Sequence, residues 1–130
     1  MNNDLRSCLE RGIALFNSGQ FFEAHEAWED AWRAETDNPT RSFLQGLIQV
    51  SAGFVKWQRG HPRGMAALLE RGAEKLRRGP SGALGLNIGE LLESVERFKA
   101  VAASMIEGSP QDSQPPDLPH LRLSPNPRAG

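Results

Sequence analysis

Cysteine, net charge and long apolar runs are all scarce in this chain. Cys8 is the single cysteine, so no internal disulfide can form. It falls on an apolar helical stripe and reads as a core residue rather than a nucleophile. The formal net charge of −1 provides no global field to recruit nucleic acid or an anionic membrane. No apolar run approaches the roughly 20 residues of a membrane span. The opening MNNDLRSCLE lacks the basic-then-apolar layout of a secretory signal. No strand alternation, nucleophile elbow or cysteine ligand cluster occurs. The glycines of GPSGALGLN follow no strand and bring no lysine, which speaks against a nucleotide loop. The expectation is a cytoplasmic protein that binds neither nucleic acid nor membrane and carries no metal or cofactor.

Helical periodicity is what the chain has. With 38% hydrophobic residues, one modest core is feasible. The first helix is expected from about Asp4 to Asn17, with Leu5, Cys8, Leu9, Ile13 and Phe16 on one stripe. Ser18-Gly19-Gln20 breaks it, Gly19 suiting a left-handed end. A second helix is expected over Phe21–Ala34, before the turn signals Asp37, Asn38 and Pro39. The third, from about Thr40 to Arg59, has two adjacent apolar stripes, as in a helix packed on two sides. Gly46 and Gly53 share one edge, where a neighbouring backbone can approach. Pro62 suits the first turn of a fourth helix reaching about Arg78. Asn87 reads as the N-cap of a fifth helix, with Glu90 as its box partner.

After Gly108 the composition changes, and six of the nine prolines follow. The expected organisation is one helical domain over 1–107 and an extended or disordered tail over 108–130. Leu118, Leu121 and Leu123 are the residues able to pin that tail to the body. A constant offset also aligns Phe16 with Trp57, Gly19 with Gly60, and Trp28 with Leu69. The two copies read as helical hairpins, weakly like a tetratricopeptide unit. Two hairpins are too few for a solenoid. The fold expected is all-α, a compact bundle of about five helices, with the fifth closing two hairpins.

Charge is unevenly spread. Residues 1–37 are rich in acid and 59–78 in base. The simplest reading is two complementary surfaces packed together or a dipolar monomer, with a basic patch for an anionic partner as the alternative.

The stretch EAHEAWEDAWR, residues 23–33, concentrates the chemistry. At about 100° per residue, Phe21, Ala24, Trp28, Ala31 and Trp32 share one face, and His25 lies among them. Glu23, Glu26 and Asp30 lie opposite, as a solvated face. Glu29 sits one turn beyond His25 on the same side and is also in register with Arg33. A histidine on an apolar face must satisfy two ring nitrogens, and a carboxylate one turn away can fix its tautomer. Such a pair serves acid–base chemistry, metal ligation or an internal packing clamp. HEAWE lacks the second histidine of the H-E-x-x-H zinc signature. A di-metal carboxylate bundle needs Glu-x-x-His, and Phe22 stands where the Glu would be. On the third helix Arg41, Gln45 and Gln49 form a polar ridge that Lys56 extends, facing either the pair or water.

FNSGQFFEAHEAWEDAWR, then RSFLQGLIQVSAGFVKWQRGHPRGMAALLERG and GLNIGELL, resemble the small bacterial, archaeal and plastid proteins grouped as domain of unknown function 309. The likeness runs from about Leu9 to Leu92. It implies an all-helical fold of about five helices and no particular activity. The matching pattern includes His25, Glu26, Trp28, Glu29, Trp32, Arg33, Gln45, Gly46 and Gln49. The functional expectation is a binding or interaction module for a small molecule or protein partner. Its site is placed between the second and third helices, with His25 and Glu29 as polar anchors. Arg33, Arg41, Gln45 and Gln49 would be donors, and Trp28 and Trp32 apolar walls. The alternative is a metal-dependent hydrolase built on His25 and Glu29.

Overall fold

The computed structural model describes residues 3–108 and 116–124. Five helices follow one another: α1 (Asn3–Asn17), α2 (Phe21–Ala34), α3 (Asn38–Gln58), α4 (Pro62–Arg77) and α5 (Ile88–Glu107). A short 3-10 turn, Ala83–Gly85, precedes α5. Each helix packs against the next, α3 and α4 most extensively, so α3 is flanked on two sides as its paired stripes require. The fold is an all-α bundle. Among the described residues no helix is long and apolar enough to cross a membrane.

The helix ends follow local chemistry. Gly19 takes φ +80° where α1 turns into α2. α3 begins two residues earlier than the expected Thr40. Asp37 caps it, accepting from Thr40 N at 3.1 Å and from Thr40 Oγ1 at 2.7 Å, and Pro39 fits inside the first turn. Those bonds, the hydroxyl's first, hold the Asp37 carboxyl below its usual range. Asn87 does occupy the N-cap position of α5 and does bond Glu90, at 2.9 Å, but its side chain makes no capping bond.

The core is aromatic at its centre. Phe16, Phe21, Trp28, Phe54 and Phe98 are fully buried. Phe16 meets Phe21 edge-on at 4.9 Å, and Phe54 meets Phe98 edge-on at 5.0 Å. Burial of each such ring stabilises by about 1.5–3 kcal/mol, with somewhat more from edge-to-face geometry. Ser51, also buried, donates to Phe21 O at 2.6 Å and ties α3 to the start of α2. Cys8 is half-buried against this core. Between α3 and α4 the backbones nearly touch. A Cβ at Gly46 would lie 3.0 Å from Gly72 O, and one at Gly53 2.8 Å from Leu69 Cδ2. The expected close approach is there, and Gly72 supplies its other half.

α5 ends at Glu107. Of the proline-rich stretch expected to form a tail, 116–124 is described and the rest lies outside the described residues. Leu121 is 1% exposed and Leu123 half-buried, whereas Leu118 is 44% exposed. Two of the three anticipated leucines therefore face the body.

Candidate functional site

His25 and Glu29 meet as the wheel requires. His25 Nε2 lies 3.1 Å from Glu29 Oε1, and both side chains are half-buried. A carboxylate only accepts, so Nε2 carries the hydrogen. That leaves Nδ1, which is buried and has no hydrogen-bond partner. In the neutral imidazole Nδ1 is a bare acceptor; in the imidazolium it is a second donor. Arg33 Nη2 donates to Glu29 Oε2 at 3.3 Å, so Glu29 links the histidine to a guanidinium one turn on.

A shallow groove of about 160 Å³ opens beside this histidine, lined by Phe22, His25, Ala52, Val55, Lys56 and Arg59. Phe22 stacks on the imidazole, ring centroids 5.8 Å apart, and remains 46% exposed. Lys56 and Arg59 make no ion pair among the described residues. Both lie at the C-terminal end of α3, where cations complement the helix dipole and can sit solvated without further purpose. Their placement beside an aromatic platform and an unsatisfied nitrogen is what marks the spot. Sequence reasoning missed Phe22 as a platform. It lies about 100° around the helix from Phe21, off the apolar face, and an aromatic in that position was the available signal.

The other anticipated site residues do not gather here. Trp28 is fully buried and turned toward α1, not a groove wall. Its indole Nε1 donates to Leu9 O at 3.4 Å, and its ring lies against Gly12, where a Cβ would come within 2.1 Å of Nε1. Gly12 is thus the seat of the indole. Trp32 is half-buried and covered by Arg41, whose guanidinium carbon lies 3.9 Å from the ring centroid. Arg41 Nε also donates to Trp32 O at 3.3 Å, closing the end of α2. Gln49 faces α4, accepting from Lys75 Nζ at 3.0 Å. Gln45 is half-buried and forms no hydrogen bond among the described residues. The anticipated eight-residue pocket therefore resolves into separate clusters, with His25, Glu29 and Arg33 as one of them. Among the described residues no group of three or more histidines, cysteines or carboxylates is placed to hold a metal ion. Among the described residues no third such ligand joins His25 and Glu29.

The charge asymmetry does not join the two regions either. Asp30 pairs with Arg11 at 3.1 Å, close to the Arg33–Glu29 contact. On α4, Arg78 pairs with Glu74 at 2.6 Å and Arg77 with Glu96 of α5 at 3.1 Å, while Glu70 meets Lys99. No ion pair among the described residues links α2 to α4. The acidic region pairs within α1 and α2 and the basic one within α4 or with α5, and such exposed pairs contribute little, about 0–1 kcal/mol each.

Residues 9–68 match the model of a family described as "Domain of unknown function (DUF309)". The match starts where the sequence resemblance starts, at Leu9, and covers α2, α3 and the groove. An uncharacterised protein of Aquifex aeolicus (strain VF5) is 23% identical over 110 residues, which is 85% of this chain and 31% of that protein. The chain spans under a third of that relative's length.

Proposed function

We propose that this small helical domain, whose residues 9–68 match the model of a family described as a domain of unknown function, is a protein-interaction module. Its site is the groove between α2 and α3, and its ligand is a short acidic segment of a partner chain. One observation carries the reading: the buried, partnerless Nδ1 of His25 lies next to an open groove. Buried polar atoms are nearly always paired, so a nitrogen without a protein partner in the wall of a groove supports a polar ligand there. The groove has room for about one side chain. Phe22 offers that side chain an aromatic floor, and Lys56 and Arg59 offer the flanking acids two unpaired cations. A backbone N–H or side-chain donor of the partner satisfies Nδ1. Glu29, anchored by Arg33, holds the ring in place for it.

The test is selection of displayed random heptapeptides on the wild-type protein, with Lys56→Glu/Arg59→Glu protein as counter-selection. The selected peptides are expected to be rich in Asp and Glu, to shift the His25 ring resonances, and to lose at least tenfold in affinity for the double variant. Peptides without acidic enrichment, or indifferent to the double substitution, would overturn the reading.

A further inference from the structure

The chain holds a piece of itself, and the surface that does so reads backbone. Asn17, the last residue of α1, donates from Nδ2 to Leu121 O at 2.9 Å and accepts at Oδ1 from Leu121 N at 2.8 Å. Asn87 donates to His120 O at 2.9 Å and accepts from Arg122 N at 2.7 Å. A carboxamide that both donates to and accepts from an extended chain imitates a neighbouring strand. The main chain continues the pattern. Asn87 N donates to Arg122 O at 3.3 Å, Ser124 N donates to Gly85 O at 2.8 Å, and Leu86 pairs with Leu123 as an antiparallel bridge. Two side chains add selectivity. Leu121 inserts into the core, and Arg122 grips both oxygens of Glu90 at 2.7 and 3.0 Å.

The body gives up something to make this notch. Asn87 stands at the N-cap of α5, yet its side chain bonds the segment and Glu90 and caps no backbone N–H of the helix. Ala83 and Leu84 sit at φ 50° and 55°, in the left-handed region that side-chain-bearing residues avoid. Those two residues set the turn that presents Gly85 O and Leu86 to the segment. Both costs have an explanation if the loop is shaped to receive an extended chain.

The chain leaves α5 at the wrong end for the notch. Asn87 is at the start of α5, and Gly108 is at its close, so the 20 residues of the helix separate them by about 30 Å. About a dozen residues join Gly108 to His120. A flexible chain of that length has a root-mean-square span of about 19 Å, and a fully polyproline-II one about 37 Å. Closure within one chain thus draws on most of the available reach, which lowers the effective concentration of the segment at its own notch. The same contacts formed between two chains carry no such constraint. We propose that the Asn17–Asn87 notch is an exchange site that accepts the His120–Ser124 segment of a second copy of this chain.

Complementation tests it. One full-length chain carries Asn17→Ala and Asn87→Ser, which empties the notch of its clamps while leaving a good helix cap and an intact segment. The other carries Leu121→Asp, with an intact notch and a segment that cannot insert. Each alone is expected to be monomeric by light scattering, and an equimolar mixture to double in mass. A mixture that keeps the monomer mass up to millimolar concentration overturns the proposal. If the asparagine variant does not fold, by circular dichroism, a labelled peptide spanning Asp117–Ser124 decides instead. It should bind the Leu121→Asp chain at least tenfold more tightly than the wild type, whose own segment competes. Equal binding, or none, overturns the proposal.

Discussion

The His25 groove and the Asn17–Asn87 notch are built by opposite means. In the groove a polar atom is left without a partner and the space beside it is open. In the notch both amide groups are used fully and an extended segment fills the space. The first arrangement carries an unmet hydrogen-bonding demand; the second has met its demand from within the same chain. The contrast teaches where to look for each kind of recognition. A site for a foreign partner leaves a polar demand unmet, whereas a site filled in cis is betrayed by the strain of the surface that holds it.

The largest expected effect separates the structural half of the HEAWE stretch from the half assigned to binding. Trp28→Ala removes a fully buried indole from between α1 and α2. It should cost about 3–5 kcal/mol of unfolding free energy in a urea titration. A loss below about 1 kcal/mol would mean that Trp28 is not the core anchor its burial implies, and the division of the motif would fail.

Next comes the notch. Leu121→Ala shortens the most deeply buried leucine of the extended segment, 1% exposed. Docking of the segment should weaken by about 2–4 kcal/mol. Limited proteolysis within 116–124 should accelerate accordingly, while the helical unfolding midpoint moves less. Equal effects on both would make the segment part of the cooperative core, and the notch would no longer be a separable site.

Acid sharpens the same contrast. Hydrogen bonding from Arg122, then from Asn87, holds the Glu90 carboxyl down at about 2 from an ordinary 4.5. A depressed carboxylate favours the docked state above its free value and loses that contribution as pH falls toward the docked one. The segment should therefore hold from neutral pH to about 4.5 and loosen between there and about 2. The Leu121 and Arg122 amide resonances should report this, and Glu90→Gln should flatten their dependence. Because the Glu90–Arg122 pair is exposed, high salt should weaken the effect too.

Much of the fold was legible in the sequence because helical periodicity is local. Leu5, Leu9, Ile13 and Phe16 announce α1 without knowledge of anything distant. The His25–Glu29 contact was legible for the same reason: both residues lie on one helix, one turn apart. What lay across helices was not. The sequence left Gln49 facing either the His25–Glu29 pair or water, and the α3–α4 crossing at Gly46 and Gly72 turns it toward Lys75 instead. Trp28 was assigned to the correct face but the wrong use, because the seat made by Gly12 lies on another helix. The notch was the least legible feature. Its parts come from Asn17, the 83–90 stretch and 119–124, and no periodicity connects an asparagine at a helix end to a tail a hundred residues on. Asn87 misled for a physical reason: a residue able to cap a helix is equally able to pair with an extended chain.

The smallest expected change in stability is the most informative. Ser51 and His25 are two polar residues near the α2–α3 seam, one satisfied and one not. Ser51→Ala leaves Phe21 O without its 2.6 Å hydroxyl bond and should cost about 1–2 kcal/mol. His25→Leu removes an exposed-edge pair with Glu29, worth under about 1 kcal/mol. It also removes a buried nitrogen whose lack of a partner costs about 1–3 kcal/mol. The two terms oppose, so His25→Leu should be neutral or stabilising by up to about 1 kcal/mol while abolishing binding of the selected acidic peptides. A histidine kept for packing behaves otherwise, because its removal then loosens the seam as Ser51→Ala does. Urea titrations of the two variants side by side decide. Should His25→Leu prove as destabilising as Ser51→Ala, His25 and Glu29 are a clamp, and the groove loses the orphan nitrogen on which its assignment rests.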